Sequence, residues 1–241
     1  MGGMGRRAMT REEYIKKLFA AYSLVSMLSE KNGCKVLRLR NKGNGRDLVL
    51  RSFPEHLDAY EILCGIRCEN LPEIYDAIDL DDGQIVLEEY IDGITVAQVM
   101  EGGRYRYHGA KKVMSGVCCA LAVLHGRGLV HRDVKPENVM IGSDGRVVLI
   151  DFNASRRVSD ACKDTVIMGT VGYASPEQLG VTQSDARTDI YAAGVLLNVM
   201  LTGYHPSERI AQGKPGHIVR KCTAISPDDR YQTAEMLSKS L

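Results

Sequence analysis

Tryptophan is absent from this 241-residue sequence, and phenylalanine occurs only three times. Aromatic residues make up 6% of the chain, whereas hydrophobic residues of all kinds make up 44%. A chain with that apolar content can bury enough surface to offset the entropy lost on ordering, which excludes disorder as the dominant state. The core must therefore be built from aliphatic side chains.

Neither sign of charge is in excess, because 31 basic residues face 30 acidic ones and leave a net charge of +1. Such a balance predicts no nucleic-acid partner and no acidic membrane partner. The seven cysteines are an odd number and have no repeated spacing. This pattern favours the reduced thiols of a cytoplasmic protein over a disulfide framework.

The sequence also lacks an apolar run long enough to cross a bilayer. Residues 190–204 are uncharged but fall short of the roughly 20 residues that a spanning helix needs. Leu18–Leu28 follows a basic N-terminus and superficially resembles a signal peptide. Because Glu12 and Glu13 interrupt the basic region and no small-residue cleavage site follows, we expect no membrane segment.

The predicted secondary structure changes from mainly strands to mainly helices near residue 91. Before it, two turn dipeptides (Asn44-Gly45 and Asp82-Gly83) each join two apolar runs and predict β-hairpins, with one helical stretch, Glu55–Ile66, between them. The capping box of Thr10 and Glu13 predicts a first helix. After residue 92 the predicted elements are helices at Ala110–Arg127, Asp189–Thr202, Ile218–Thr223 and Gln232–Ser240, interrupted by one hairpin at 139–150.

These patterns predict an α+β protein with a flexible segment at 1–13, a small β-rich lobe at 14–91 and a larger helical lobe at 92–241.

The residues that can carry chemistry lie in the run HRDVKPEN, which begins at His131, and in the DFN that begins at Asp151. Asp133 can accept the proton of an attacking hydroxyl, and Lys135 can neutralise a phosphoryl group during transfer. Asn138 and Asp151 offer the hard oxygen ligands that magnesium requires. A hairpin separates these two residues, which brings their oxygens to one place.

Further motifs follow in a fixed order. They are Gly169-Thr170, the run YASPE at Tyr173–Glu177, an aspartate at Asp189 that opens an apolar helix, and the run PDDRY at Pro227–Tyr231. In this order and spacing the chain resembles the bacterial Ser/Thr protein kinases of the eukaryotic-like type, over roughly residues 22–239.

The resemblance implies a two-lobed protein-kinase fold that uses ATP with Mg²⁺ or Mn²⁺ to phosphorylate serine or threonine in a protein substrate. Lys135 matches the serine/threonine signature, Thr170 would support that preference, and Arg230 would pair with Glu177. Neither the protein substrate nor the oligomeric state is indicated by the sequence. The residues implied in nucleotide binding are Ser29, Lys31, Val36, Val49, Arg51, Glu89, Ile91 and Met140.

The nucleotide-binding side departs from the family pattern. The glycine-rich loop aligns with Ser29–Cys34, which holds a single glycine, and Arg51 stands where the family has a strand lysine. The helix glutamate that pairs with this lysine aligns with Ala59, and Glu61 should face elsewhere. These losses keep open a second hypothesis, a pseudokinase scaffold that binds a partner with weak or no catalysis.

Two specific expectations follow from the departures and the activation segment. In the family, the residue just before the hinge that joins the two lobes lies at the back of the ATP pocket and is usually apolar. The resemblance therefore implies that Glu88, which takes this place, is buried and needs a cation, and we predict that Arg51 pairs with it. The resemblance implies an activation segment that ends with Gly169-Thr170 and Tyr173–Glu177. In it, Thr165 is the predicted phosphoacceptor, and Asp164 should supply a standing negative charge without phosphorylation.

Overall fold

The computed structural model of the chain describes residues 10–158, 172–179 and 184–241. These residues form two compact units. The first holds the described residues up to Arg67 together with Glu73–Tyr90, and the second holds Cys68–Pro72 and the described part of Ile91–Leu241. Strands dominate the first unit and helices the second, so the α+β class predicted from the sequence is confirmed.

The first unit is a five-stranded antiparallel sheet with two helices. The sheet order is β1-β2-β3-β5-β4. The strands are β1 (Tyr22–Lys31), β2 (Cys34–Asn41), β3 (Asp47–Phe53), β4 (Ile74–Leu80) and β5 (Gly83–Glu89), and the helices are α1 (Arg11–Ala21) and α2 (Asp58–Leu63). The core under the sheet is aliphatic, as the composition requires, and its buried members are Leu18, Leu39, Leu48, Leu50, Ile85 and Leu87.

Local sequence signals explain most of these elements. Thr10 and Glu13 form both bonds of the predicted capping box at the start of α1. Asn44-Gly45 lies in the turn of the β2–β3 hairpin, as predicted. Asp82-Gly83 marks the β4–β5 hairpin, in which Asp82 lies in the turn and Gly83 begins β5 opposite Leu80. A third turn at Asn32-Gly33 joins β1 to β2, with positive φ at both residues, 51° and 78°. That is the geometry of a two-residue hairpin turn.

The second unit contains five α-helices, three short 3-10 helices and five short strands among the described residues. The helices are α3 (Val96–Glu101), α4 (Tyr107–His125), α5 (Ala186–Thr202), α6 (Gly213–Cys222) and α7 (Ala234–Ser240). The strands are β6 (Gly93–Thr95), β7 (Leu129–Val130), β8 (Val139–Gly142), β9 (Val147–Leu149) and β10 (Arg156–Arg157). Strands β6, β8 and β9 form one sheet, and β7 pairs with β10.

Several predicted helix boundaries were wrong. Helix α2 covers only half of the predicted Glu55–Ile66, and α6 starts five residues before the predicted Ile218. Helix α5 begins at Ala186, not at Asp189, because the Asp185 side chain caps it by accepting the Arg187 N–H. Helix α3 was missed, although Thr95 and Gln98 form a capping box at its start.

Within the described ranges, none of the helices combines the length and the apolar character that crossing a bilayer requires. Helix α5 contains residues 190–202 of the uncharged run noted in the sequence, and most of its side chains are buried in the second unit. A helix that is apolar on every side packs at the centre of a domain.

Candidate active site

The loop after β7 carries the predicted base, and Asp189 of α5 holds this loop in place. Asp189 is fully buried and accepts hydrogen bonds from the backbone N–H groups of His131 and Arg132, at 2.8 and 2.7 Å. Its carboxylate also lies 2.8 Å from Nε2 of His125, at the end of α4. These bonds fix the backbone immediately before Asp133.

The loop backbone is strained at Arg132, where φ is 68°. A left-handed conformation costs a non-glycine residue roughly 1–3 kcal/mol, so neighbouring bonds must over-determine it. The Arg132 N–H donates to Asp189, as described above, and the Arg132 carbonyl accepts a hydrogen bond from the Gln178 side chain at 3.0 Å. The strain turns the chain sharply at the residue before the candidate base.

Asp133, Lys135 and Asn138 form one hydrogen-bonded group. The Asp133 Oδ2 accepts a bond from Lys135 Nζ at 2.7 Å and another from Asn138 Nδ2 at 2.8 Å. Asn138 Nδ2 also donates to the Asp133 carbonyl at 2.9 Å. The cation and the amide therefore orient the carboxylate of Asp133, which is partly open to solvent.

Asp151 follows β9, and the chain there is tied to Asn138. The Ile150 N–H donates to the Asn138 carbonyl at 2.8 Å, and Asp151 then takes a left-handed backbone with φ of 69°. The next residue, Phe152, is buried with its ring edge-on to His131, 5.7 Å between centroids.

The donor set fits Mg²⁺ or Mn²⁺. The Asn138 amide nitrogen is engaged by Asp133, so the amide oxygen faces away from that residue. An amide oxygen and the carboxylate of Asp151 are the hard ligands that Mg²⁺ prefers. Asn138 and Asp151 are therefore the residues that would hold the metal.

His131 has a structural role, because its ring supports the loop that carries Asp133. Its Nδ1 accepts the Asp133 N–H at 3.3 Å, and its Nε2 lies 3.2 Å from the Ile150 carbonyl. Burial lowers the pKa of this histidine below its usual 6.5. A neutral ring with its proton on Nε2 satisfies both contacts and connects the strand of Asp151 to the loop of Asp133.

Glu177 and Arg230 form the buried ion pair predicted from the sequence. Two guanidinium nitrogens of Arg230 lie 2.6 and 2.9 Å from the two carboxylate oxygens of Glu177, and Thr188 Oγ1 donates to the same carboxylate at 3.1 Å. Burial would raise the pKa of Glu177, but the hydrogen bond from Arg230 and its charge lower it. The pair fixes residues 172–179 against helix α5.

The predicted pairing of Arg51 with Glu88 is confirmed. Arg51 Nε lies 2.7 Å from Glu88 Oε1, and both side chains are less than one-tenth exposed. In α2, Ala59 is buried while Glu61 faces solvent, as expected from the alignment. Among the neighbouring strands, β3 places Arg51 and β5 places Glu88 on the same face of the first unit.

The remaining nucleotide-binding candidates have the following positions. Val36, Val49 and Ile91 are buried, and Met140 is half-buried in β8 opposite Thr95 and Val148. Glu89 ends β5. Ser29 pairs with Val36 across the β1–β2 hairpin, and Lys31 is exposed beside its turn. Their role in binding ATP stays a prediction, as does the role of Thr170, which lies outside the described residues together with Asp164 and Thr165.

Residues 29–241 match the protein kinase domain family. The chain belongs to the protein kinase family. The kinase domain is 34% identical over 197 residues to the serine/threonine-protein kinase PknL of Mycobacterium tuberculosis, covering 71% of this chain and 49% of PknL. It is 32% identical over 184 residues to PknB of Mycolicibacterium smegmatis, covering 65% of this chain and 29% of PknB. The chain thus spans about half the length of the first relative and less of the second.

The kinase fold is confirmed by a solved structure. The crystal structure of the Mycobacterium tuberculosis PknI kinase domain superposes with a TM-score of 0.70 and covers 92% of this chain and 95% of that one. Sequence identity in this comparison is 22%, so it shows the fold alone.

Sequence reasoning missed two residues that support the loop after β7, His125 and Gln178. His125 ends α4 and binds Asp189, while Gln178 follows Glu177 and holds the Arg132 carbonyl. The position of His125 in the last turn of a predicted helix was the available signal for the first. No local pattern marked the second, because its partner lies 46 residues away in sequence.

Proposed function

We propose that this kinase domain transfers the γ-phosphoryl group of ATP to serine or threonine hydroxyls of protein substrates. The arrangement of Asp133 with Lys135 and Asn138 carries the proposal, because a carboxylate, a cation and an amide meet there within hydrogen-bond distance. The names of the relatives support the acceptor class, since both PknL and PknB are serine/threonine-protein kinases.

Each residue of the group has a defined task in this proposal. Asp133 accepts the proton of the attacking hydroxyl, and the bonds from Lys135 and Asn138 hold its carboxylate in place. Lys135 also lies where its charge can balance that of the phosphoryl group in transfer. When bound to Asn138 and Asp151, Mg²⁺ or Mn²⁺ supplies neutralisation of the phosphate charge.

The Arg51–Glu88 pair favours a second candidate, a scaffold that binds nucleotide or a partner with little catalysis. An arginine held by a buried carboxylate is a poor substitute for a mobile strand lysine, because its fork is already engaged on one side. The intact group around Asp133 argues for catalysis, so we favour an active kinase over a scaffold.

A γ-phosphate transfer assay separates the two. Purified protein with radiolabelled ATP, a generic basic protein and either Mg²⁺ or Mn²⁺ should incorporate phosphate, and Asp133→Asn should reduce incorporation by about a hundredfold or more. Glu137→Gln is the matched control, because Glu137 is exposed on the same turn and should keep wild-type activity. Thermal stabilisation by ATP without transfer under either metal would establish the scaffold instead.

A further inference from the structure

Gln178 follows Glu177 in the chain and is bonded at both ends of its side-chain amide. The residue is buried, with 1% of its surface exposed. Its Nε2 donates to the Arg132 carbonyl at 3.0 Å, and its Oε1 accepts the Ser175 N–H at 3.0 Å and the Ser175 hydroxyl at 3.3 Å. Because a carbonyl faces the nitrogen and two donors face the oxygen, the contacts fix which way the amide points.

The Arg132 carbonyl belongs to the peptide group that leads into Asp133, so the bond from Gln178 acts on both residues. A peptide group is planar, and its carbonyl and its N–H turn together. At the other side of this group, the Asp133 N–H donates to His131 Nδ1 at 3.3 Å. Gln178 and His131 therefore hold the two polar groups of one peptide plane, and that plane contains the Cα atom of Asp133.

The strained backbone of Arg132 makes this plane sensitive to the loss of a bond. A non-glycine residue keeps a φ of 68° only when its neighbours hold it there. Asp189 fixes the peptide group before Arg132 by accepting its N–H at 2.7 Å, and Gln178 binds the peptide group after it. Without Gln178, rotation about φ of Arg132 would relieve the strain and carry the backbone of Asp133 with it.

Gln178 is itself fixed by the segment to which it belongs. Its N–H donates to the Ser175 carbonyl at 3.0 Å, and the carboxylate of Glu177 lies 2.6 and 2.9 Å from two nitrogens of Arg230. The Arg132 carbonyl is thus tied through one amide to residues 172–179. The sequence predicts these residues to be the end of an activation segment.

We propose that Gln178 is a positioning residue for Asp133 and makes the position of this base depend on the end of the activation segment. The inference rests on the proposed kinase function and extends it to the regulation of the same site. Gln178 acts through the Arg132 carbonyl, which its amide holds when residues 172–179 are in place. Displacement of this segment would remove one of the bonds that fix the backbone of the base.

Steady-state kinetics of the full chain with ATP and a generic basic protein test the proposal. Gln178→Glu keeps the side-chain size and an acceptor for the Ser175 N–H, but turns a carboxylate oxygen instead of a donor towards the Arg132 carbonyl. Gln178→Met removes both bonds without adding a charge. We expect kcat to fall by roughly tenfold to a hundredfold in each variant, because a small displacement of a reacting group is that costly, and the KM for ATP to change by less than about twofold.

A control variant and a second readout separate positioning from a general loss of stability. Gly194→Ala should destabilise the same unit at the contact between α5 and α6 and leave kcat unchanged. Hydrogen exchange needs no phosphoryl transfer. The amide of Asp133 should exchange at least about fivefold faster in both Gln178 variants than in the wild type, with helix α4 unaffected.

A wild-type kcat in a folded Gln178→Met, or an unchanged exchange rate at Asp133, would overturn the proposal. So would a rise in the KM for ATP as large as the fall in kcat, because that result assigns Gln178 to nucleotide binding. Circular dichroism establishes that each variant is folded. If neither the wild type nor Gly194→Ala transfers phosphate, the proposed function fails, and the exchange rates decide whether Gln178 positions Asp133.

Discussion

Arg51 and Glu88 neutralise each other inside the first unit, with 2.7 Å between Nε and Oε1. Glu88→Ala would leave the guanidinium buried beside an apolar side chain. Removing one partner of a buried pair typically costs about 3–5 kcal/mol, so the free energy of unfolding measured in urea should fall by that amount.

The exposed pair of Lys35 and Glu30 is the matched control, since both side chains are about half exposed at 3.2 Å. Glu30→Ala should change stability by less than about 1 kcal/mol. A similarly small effect of Glu88→Ala would show that Arg51 does not depend on Glu88.

The pKa of His131 predicts a pH dependence of stability. Burial lowers the pKa in the folded protein, so the unfolded chain takes up a proton near pH 6.5 while the folded chain resists it. The stabilisation is fully present above pH 6.5 and is lost as the pH falls toward the lowered value.

Urea unfolding at a series of pH values from 7.5 to about 5 should therefore show stability decreasing with acidity. The decrease should be shallower in His131→Phe, in which nothing at this position titrates, and unchanged in His217→Ala. An identical slope in His131→Phe and wild type would contradict the assignment.

The proposed catalytic residues were predictable because they are close in sequence. Asp133, Lys135 and Asn138 lie within six residues, and their side chains can meet only along that one loop. Glu88 was also predictable, because a carboxylate in a buried strand position needs a cation. Gln178 was not, since it acts through a contact to a segment 46 residues away that no local pattern encodes.

Helices α5 and α6 approach closely at Gly194. A Cβ atom on this residue would lie 2.2 Å from the Cβ of Cys222, which no real contact permits. Alanine favours a helix by about 1 kcal/mol over glycine, but the clash should outweigh this gain. We expect Gly194→Ala to lower the free energy of unfolding by about 1–3 kcal/mol.

Gly102 provides the comparison at the end of α3. Its φ is −79°, and an added Cβ would meet nothing closer than 3.4 Å. Gly102→Ala should therefore be nearly neutral in the same unfolding experiment. Equal stability of Gly194→Ala and wild type would mean that α6 can move away from α5 without cost.

At the level of elements, hairpins were easier to predict than helix ends. Two hairpins were recognised from their Asn-Gly or Asp-Gly dipeptides. The hairpin at Asn32-Gly33 was missed, although it carries the same signal, and it lies within the segment aligned to the glycine-rich loop. Helix α3 is only six residues long, too short for periodicity to reveal. The start of α5 is set by the Asp185 cap, a single hydrogen bond that outweighs the apolar pattern beginning later.

The two compact units of the molecule are defined by which residues pack together, and the boundary between them does not fall at a single point in the sequence. Cys68–Pro72 belongs to the second unit, although the chain on both sides of it belongs to the first. Asn70 holds it there, because its side chain donates to the Val147 carbonyl at 2.7 Å and its own carbonyl accepts the Leu149 N–H at 2.9 Å.

Asn70→Ala removes the first bond and leaves the second. We expect amide hydrogen exchange in β9 to accelerate by roughly fivefold to tenfold, equivalent to about 1 kcal/mol, with β3 unaffected. Asn44→Ala, which removes a turn bond to Arg46 in the first unit, should leave β9 exchange unchanged. Unaltered exchange in β9 of Asn70→Ala would show that the backbone bond alone anchors the segment.

The detour of Cys68–Pro72 has a consequence for the newly made protein. Asn70 leaves the ribosome 77 residues before Val147, its partner in β9. At roughly 5–20 residues per second, about 4–15 s pass before that partner is synthesised. Strands β1, β2 and β3 are consecutive antiparallel neighbours and can pair as they emerge. In the nascent chain, β1, β2 and β3 can therefore be paired several seconds before β9, the strand that Cys68–Pro72 binds, has been synthesised.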